Sequence, residues 1–286
     1  RGPFVSRNLF AVDEDIDRAS AAIAAADALL ISAGAGMGVD SGLPDFRGDD
    51  GFWRAYPPLR ELGLSFVDMA NPRWFRSDPE LAWGFYGHRL ALYRKTRPHE
   101  GFRVLARLAA EKRSGAFVFT SNVDGAFQRA GFLAERVVEC HGAIDFCQCT
   151  RGCGAEIFDS PEAPVVDEAT FRARAPLPSC PRCSGLARPN ILLFGDFEWD
   201  GARTEAQESR FEAWLAGLRR ERASLAVIEI GAGTAIPTVR MLGERLVVRM
   251  GATLIRINLR EAEVPADQIG ISSGAEAALL AIERRR

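Results

Sequence analysis

The chain has 286 residues, 47% of them hydrophobic and 26% charged, with a formal net charge of -2. That length suits one large domain, or one domain carrying a smaller module, with ample core material. The near-neutral balance gives no reason to expect nucleic acid or an anionic membrane as partner, and no segment has the ~18 unbroken apolar residues of a membrane span.

In chain order, residues 15–26 read as a helix, with Ile16, Ala19 and Ile23 on one face. Residues 28–33 form a short apolar run that ends at Gly34, as a buried strand should. Residues 45–98 are rich in Trp, Phe, Tyr and Pro and read as loop plus helices. A helix over 101–110 then feeds a strand over 116–120, and a strand over 136–139 runs into His141. Residues 146–188 hold two close cysteine pairs among many Pro, Asp and Glu. The apolar runs 191–194 and 225–230 each stop at glycine, with a helix over 204–220 between them. A helix (236–250), a strand (253–258) and a final helix (274–286) complete the chain. This alternation implies an α/β fold: a Rossmann-like parallel sheet with helices on both faces. Residues 1–44, 101–145 and 189–286 would build it. Residues 45–100 would form a loop and the helical part of a smaller domain, and 146–188 its zinc-binding module.

Ligands of such sheets bind beyond the carboxyl ends of the strands. Gly34 to Gly36, Ser121 to Asp124, His141, Gly231 to Gly233 and Asn258 all follow expected strands. The glycine run does not satisfy G-x-G-x-x-G, because position 39 is Val39. Alone it fits a tight strand-to-helix turn as well as a nucleotide loop. The following Pro44-Asp45-Phe46-Arg47-Gly48 adds a cation for phosphate and an aromatic lid. Asn122 and Asp124 fit either a local turn or an amide and a carboxylate aimed into a cleft. Of three histidines, His88 reads as helical and His99 as loop. His141, at a strand end, reads as a general base.

Cys149 and Cys153, with Cys180 and Cys183, form two close pairs. Buried thiols and a disulfide are the bland alternatives. Four thiolates fill a tetrahedral zinc shell and leave no position for water or substrate, so the metal would be structural. Cys140, beside His141, reads as core packing. The first residues, Arg1-Gly2-Pro3-Phe4, lack an initiating Met and the apolar core of a signal peptide. Reduced thiols and the cytoplasm are therefore expected.

Taken together, these residues resemble the sirtuin family. The match runs from about Leu29 to Ala278 and includes Gly34-Ala35-Gly36, Ser41-Gly42-Leu43-Pro44-Asp45-Phe46-Arg47-Gly48, Gly51-Phe52-Trp53, Thr120-Ser121-Asn122-Val123-Asp124-Gly125, His141-Gly142, the four cysteines, Arg188-Pro189-Asn190, Phe194-Gly195-Asp196 and Asn258. The resemblance implies removal of acyl groups from protein lysines at the expense of NAD. On this reading Gly34, Ala35, Gly36, Asp45, Arg47, Ser121, Gly231, Gly233 and Asn258 contact the dinucleotide, and Phe46 shields the reacting ribose carbon. Asp124 holds the nicotinamide carboxamide, Asn122 orders the ribose and a water, and His141 is the base on the ribose hydroxyls. The acyl-lysine oxygen attacks the ribose as nicotinamide leaves, and free lysine and O-acyl-ADP-ribose result. The acyl-lysine protein or peptide would lie between Phe194-Gly195 and the Gly231 loop as an added strand.

The chain departs from the family pattern in four places. Ser121 stands for Gln, Gly38 for Ser, and Gly231-Ala232-Gly233 for Gly-Thr-Ser, while the first cysteine pair is C-x3-C rather than C-x2-C. Tyr86 and Arg89 match a Tyr-x-x-Arg found in sirtuins that prefer succinyl or malonyl lysine. Their i,i+3 spacing on a helix lets both face one pocket, where Arg suits a carboxylate; an ordinary Arg on a solvated helix is the alternative. The competing activities on this scaffold are protein mono-ADP-ribosyl transfer and NAD hydrolysis or sensing.

Overall fold

The structure, a computed structural model, describes residues 9–44 and 48–286. In chain order it contains α1 (Leu9–Ala25), β1 (Ala28–Ala33), a 3-10 turn (Ala35–Ser41), α2 (Gly48–Ala55), α3 (Pro57–Glu61), α4 (Phe66–Met69), α5 (Trp74–Ser77), α6 (Pro79–Lys95) and α7 (Glu100–Ala110). Then follow β2 (Ala116–Thr120), α8 (Ala126–Arg129), β3 (Val137–Glu139), β4 (Gly142–Cys149), β5 (Phe158–Asp159), β6 (Val166–Asp167), β7 (Arg172–Ala173) and β8 (Ala187–Ile191). The chain ends with α9 (Ala202–Glu221), β9 (Leu225–Ile230), α10 (Thr238–Met250), β10 (Thr253–Ile257), β11 (Ile269–Ile271) and α11 (Ala275–Arg284).

Six strands form one parallel sheet in the order β11-β10-β9-β1-β2-β3. The central strands β1 and β9 are buried along their whole length. Their largely apolar runs are what a strand covered on both faces requires, and the one buried charge of β9, Glu229, is matched by Arg256 of β10 at 2.5 Å. Alternate residues of β1 face opposite ways, as the pleat dictates. Leu29, Ile31 and Ala33 pack with Ile23, Phe102, Leu105 and Leu279 of α1, α7 and α11. Ala28 and Leu30 pack with Phe211, Leu215, Leu242 and Leu246 of α9 and α10. The chain leaves β1 toward β2 on one side and returns as β9 on the other, so the strand order reverses at the β1/β9 junction. A ligand crevice opens at such a junction.

The smaller domain combines α2 to α6 with a three-stranded sheet, β5-β4-β8, and a two-stranded one, β6-β7. Its core is aromatic: Phe52, Tyr56, Trp83, Phe85, Tyr86 and Phe171 are all buried. Helix α6 starts at Pro79, capped by the Asp78 carboxylate on the Leu81 amide. The same carboxylate binds Arg172 at both oxygens, at 2.7 Å each. The helix seats directly on the cysteine-bearing half. Trp83 Nε1 donates to the Ala187 carbonyl at 2.9 Å. Gly84 lies so close to the Phe171 carbonyl that a Cβ would sit 2.1 Å from its oxygen.

One expected strand is different in kind. The run 191–194 is not a member of the parallel sheet. The strand there is β8, which ends at Ile191 and pairs antiparallel with β4. Only its last residue belongs to the run. The rest alternates between exposed Leu192, buried Leu193 and exposed Phe194, the pattern of an edge segment rather than a central strand. Strand β4, unforeseen, crosses the expected boundary at residue 146. Its polar and small residues, Gly142 to Asp145, masked it. Strand β11 was also unforeseen, at three residues. Among the described residues no helix is long and apolar enough to cross a membrane.

Candidate active site

The parallel register brings the expected site residues to one level. Ala33 pairs with Thr120 on one side and Ile230 on the other, Thr120 pairs with Glu139, and Ile230 pairs with Ile257. The residues that follow each of these are Gly34, Ser121, Cys140-His141, Gly231 and Asn258. The carboxyl edge of the sheet thus presents the motif residues expected after each parallel strand. Asp45, Phe46 and Arg47 lie outside the described residues.

At the β1/β9 junction two backbones interlock. The Gly34 amide donates to the Ile230 carbonyl at 2.9 Å, and the Gly36 amide to the Gly231 carbonyl at 3.0 Å. Gly231 has φ of +61°, and a Cβ there would meet Gly36 C and Met37 N at 2.4 Å. No side chain fits. Gly231→Ala should therefore lower stability by more than the ~1–3 kcal/mol of a strained backbone conformation alone, which a denaturant melt measures. An unchanged midpoint would contradict the tight seam. Beyond it Ala35 is exposed, and Gly36 and Gly233 are partly so. Backbone without side chains at this edge is what lets phosphate oxygens approach amide donors.

Asn122 and Asp124 are held, not loose. The Asn122 amide group donates to the Gly34 carbonyl at 3.0 Å, and its backbone N–H to Thr120 Oγ1 at 3.0 Å. Ser121 stays close to β1, with its N–H on the Ala33 carbonyl at 3.0 Å. Asp124 is 6% exposed, and its Oδ1 accepts from the Ala126 amide at 2.9 Å. Burial raises its pKa, against the pull of that amide and of Arg129. Arg129 Nη1 fixes the backbone by donating to the Asp124 carbonyl at 2.6 Å. The Asp124–Ala126 bond realises the local turn, with the carboxylate buried.

His141 is half-buried at the end of β3. Burial lowers its pKa below the ordinary histidine value, and a hydrogen bond to the Ser121 backbone partly opposes this. The imidazole is therefore neutral at physiological pH, the form a general base needs. The residues before it are clamped by α9. Glu139 is ion-paired with Arg203 at 2.5 Å, its N–H donates to Gln207 Oε1 at 3.0 Å, and its carbonyl accepts from Thr204 Oγ1 at 3.1 Å. Arg203 also stacks over Phe146 at 4.0 Å. The sequence pattern by itself does not single out Glu139, Arg203 and Arg129. The acidic residue just upstream of Cys140-His141 was the available signal. Cys140 itself is 8% exposed with its thiol pushed up to about 12 by burial, in line with a packing role.

Asn258 is 2% exposed and fully engaged. Its Nδ2 donates to the Ala232 carbonyl at 2.9 Å, and its Oδ1 accepts from the Arg260 and Glu261 amides at 3.1 Å. Here it braces the loop after β9 against the loop after β10. Phe194 is likewise partly committed: its N–H donates to the Ala70 carbonyl at 2.9 Å and its carbonyl accepts from Asn71 at 3.3 Å. Its ring and Gly195, at φ of +68°, face outward.

Tyr86 and Arg89 lie inside the small domain, at 1% and 7% exposure. The solvated-helix alternative for Arg89 is overturned. Arg89 donates through Nε and Nη2 to the Tyr93 hydroxyl at 3.0 and 2.7 Å, and sits 5.2 Å from the Phe85 ring centroid. His88 packs edge-on against Tyr56 and bears no site contact.

Cys149, Cys153, Cys180 and Cys183 converge, with all four sulfurs within 4.8 Å of one another. Cys149 and Cys183 are 3.6 Å apart, and Cys153 and Cys180 3.7 Å. A regular tetrahedron with Zn–S bonds of ~2.3 Å has edges of about 3.8 Å. The donor set and spacing therefore fit a structural zinc, and a disulfide, at ~2.05 Å, does not describe them.

The Sir2 family profile matches residues 34–211, more than half of the sequence. This chain belongs to the Sir2 family. Among its curated relatives, the NAD-dependent protein deacylase of Aeropyrum pernix is 36% identical over 227 residues, 79% of this chain and 78% of that protein. The NAD-dependent protein deacylase of Thermus thermophilus is 29% identical over 266 residues, covering 92% of this Sir2 chain and 91% of the relative. Among solved structures, a Sir2 homologue bound to NAD superposes with a TM-score of 0.68 at 26% identity, over 94% of this chain and 93% of that one. A mutant Sir2 homologue bound to ADP-ribose also reaches 0.68, at 27% identity over 94% and 96%.

Proposed function

We propose that the cleft removes acyl groups from lysines of proteins or peptides at the expense of NAD, releasing nicotinamide and O-acyl-ADP-ribose. The observation that carries this is the placement of a neutral imidazole, a fixed amide and a buried carboxylate beside a bare glycine seam on one sheet edge. Bound NAD supplies an electrophilic ribose carbon and a leaving group. The seam of Gly34, Gly36 and Gly231, whose own amides are bonded to Ile230, Gly231 and Ile257, holds the side-chain-poor backbone at Ala35 and Gly233 open to its phosphates. Asn122, held by Gly34, positions the ribose. Asp124, locked by Ala126 and Arg129, holds the carboxamide of the departing nicotinamide, and His141 accepts a ribose hydroxyl proton. The relatives named NAD-dependent protein deacylase support the same reading. Mass spectrometry of products from NAD and an acetyl-lysine peptide tests it. ADP-ribose free in water or attached to protein, without acyl-ribose, would favour hydrolysis or mono-ADP-ribosyl transfer instead.

The finer reading is a preference for acidic acyl groups, succinyl or malonyl. Two features support it. The Tyr86 hydroxyl is buried without a hydrogen-bond partner among the described residues, and burial raises its pKa, so it remains a donor. One helical turn on, Arg89 supplies a permanent cation, oriented by Tyr93. Leaving a buried donor unmatched is costly, so a partner from the substrate is the natural complement. Arg89→Met should reduce the succinyl-to-acetyl ratio of kcat/KM by about tenfold or more. Equal ratios in wild type and variant would remove the acidic-acyl reading and leave deacylation intact.

A further inference from the structure

His99 is 8% exposed and stands at the start of α7, where it caps the helix. The Gly101 amide donates to its Nδ1 at 3.0 Å. An amide N–H cannot accept, so Nδ1 carries no proton and Nε2 does. That Nε2 lies 3.0 Å from the Met37 carbonyl, in the 3-10 turn just after Gly34-Ala35-Gly36. The ring thus donates into the floor of the glycine seam. Its position is enforced: a Cβ on Gly101 would sit 2.6 Å from its Cε1, and Phe102 packs edge-on at 5.0 Å.

The rest of the turn is gripped by the same helix end and its neighbour. The His99 N–H donates to Ser41 Oγ at 3.0 Å, and the Glu276 N–H of α11 to Asp40 Oδ2 at 2.8 Å. The Glu100 N–H completes the clamp on Glu276 Oε1 at 3.0 Å. Met37 is the point where this grip reaches closest to the seam, because its own N–H bonds the Gly34 carbonyl at 3.0 Å.

We propose that His99 is a positioning residue for the dinucleotide: through the Met37 carbonyl it sets the tilt of the glycine turn, without touching the cofactor. This rests on the NAD reading above. The test separates capping from positioning. His99→Asn keeps an acceptor for the Gly101 amide, since Asn is a good N-cap, but is too short to reach Met37. It should raise KM for NAD about threefold to tenfold, the effect of one buried hydrogen bond, with kcat and thermal midpoint close to wild type. His99→Gln, whose longer amide spans the gap, should recover KM.

ADP-ribose titration comes first. No binding by wild type removes the NAD reading and this proposal with it. Equal binding by wild type and His99→Asn removes this proposal alone, as does a parallel fall in kcat and stability with KM unchanged, or a Gln variant no better than Asn. A readout independent of any variant is imidazole ¹⁵N NMR of the wild-type protein. The Nε2–H resonance of His99 should shift when ADP-ribose binds, and a resonance that does not respond overturns the assignment.

Discussion

Replacing His141 by alanine should cut formation of O-acyl-ADP-ribose by about 10²- to 10⁴-fold, the usual contribution of a positioned general base. The chain should still fold, because the β3 end is held through Glu139 by Arg203, Thr204 and Gln207 rather than through the imidazole. ADP-ribose binding should persist, since the glycine seam is untouched. The wild-type pH profile carries a second signature. The base must be neutral, so activity is constant above its pKa and falls as pH drops through it. Burial depresses that pKa, which puts the acid limb below the ~6.5 of an ordinary histidine. The limb should vanish from whatever residual rate His141→Ala retains. A variant with near-normal product formation by mass spectrometry would remove His141 from the mechanism.

Cys180→Ala should have an effect of comparable size on the fold. Metal analysis of the wild-type protein should find about one zinc per chain, because the four sulfurs close a tetrahedron. The variant should lose the metal, and with it the order of the β4-β5-β8 sheet. A structural zinc contributes folding energy outright, ~10–16 kcal/mol in isolated finger peptides. Hydrogen exchange should rise sharply in β4, β8 and the segment between them, while β1 and β9, buried along their whole length, stay protected. Metal-free protein with wild-type protection would show that the cysteines are not a folding element.

Strands β1, β2, β9 and β10 are legible because they are buried on both faces and so are written as mostly apolar runs, the Glu229–Arg256 pair apart, whereas β11, at three residues, is too short to stand out. The carboxyl-edge motifs were legible for the same reason: each follows such a run. In the smaller domain, β8 is hidden because its burial is offset by pairing rather than by apolarity. Strand β8 includes Arg188 and Asn190, both buried. Arg188 is matched by Asp196 at 2.7 and 2.9 Å, and Asn190 donates to Gln148 at 3.0 Å. A hydropathy pattern sees such residues as surface. The run 191–194 looked like a strand because its composition is apolar, yet its pairing ends at Ile191. Arg89 shows the converse. Helical spacing put it beside Tyr86, but only the fold reveals that Tyr93, one turn later, takes two of its donors. His99 was read as a loop residue. Its partner, Met37, is 62 positions away, and no local pattern announces such a bond.

The seating of α6 on the cysteine-bearing half has one more consequence. Trp83 and Gly84 are fastened to Ala187 and Phe171, and Tyr86 and Arg89 follow within two turns. On the acidic-acyl reading proposed above, the residues that meet the acyl tail hang from the metal module, whereas the seam at Gly36 and Gly231 hangs from the central sheet. Chelation should blur discrimination among acyl chains before it abolishes cleavage of the dinucleotide. A preparation short of zinc would then look promiscuous rather than dead.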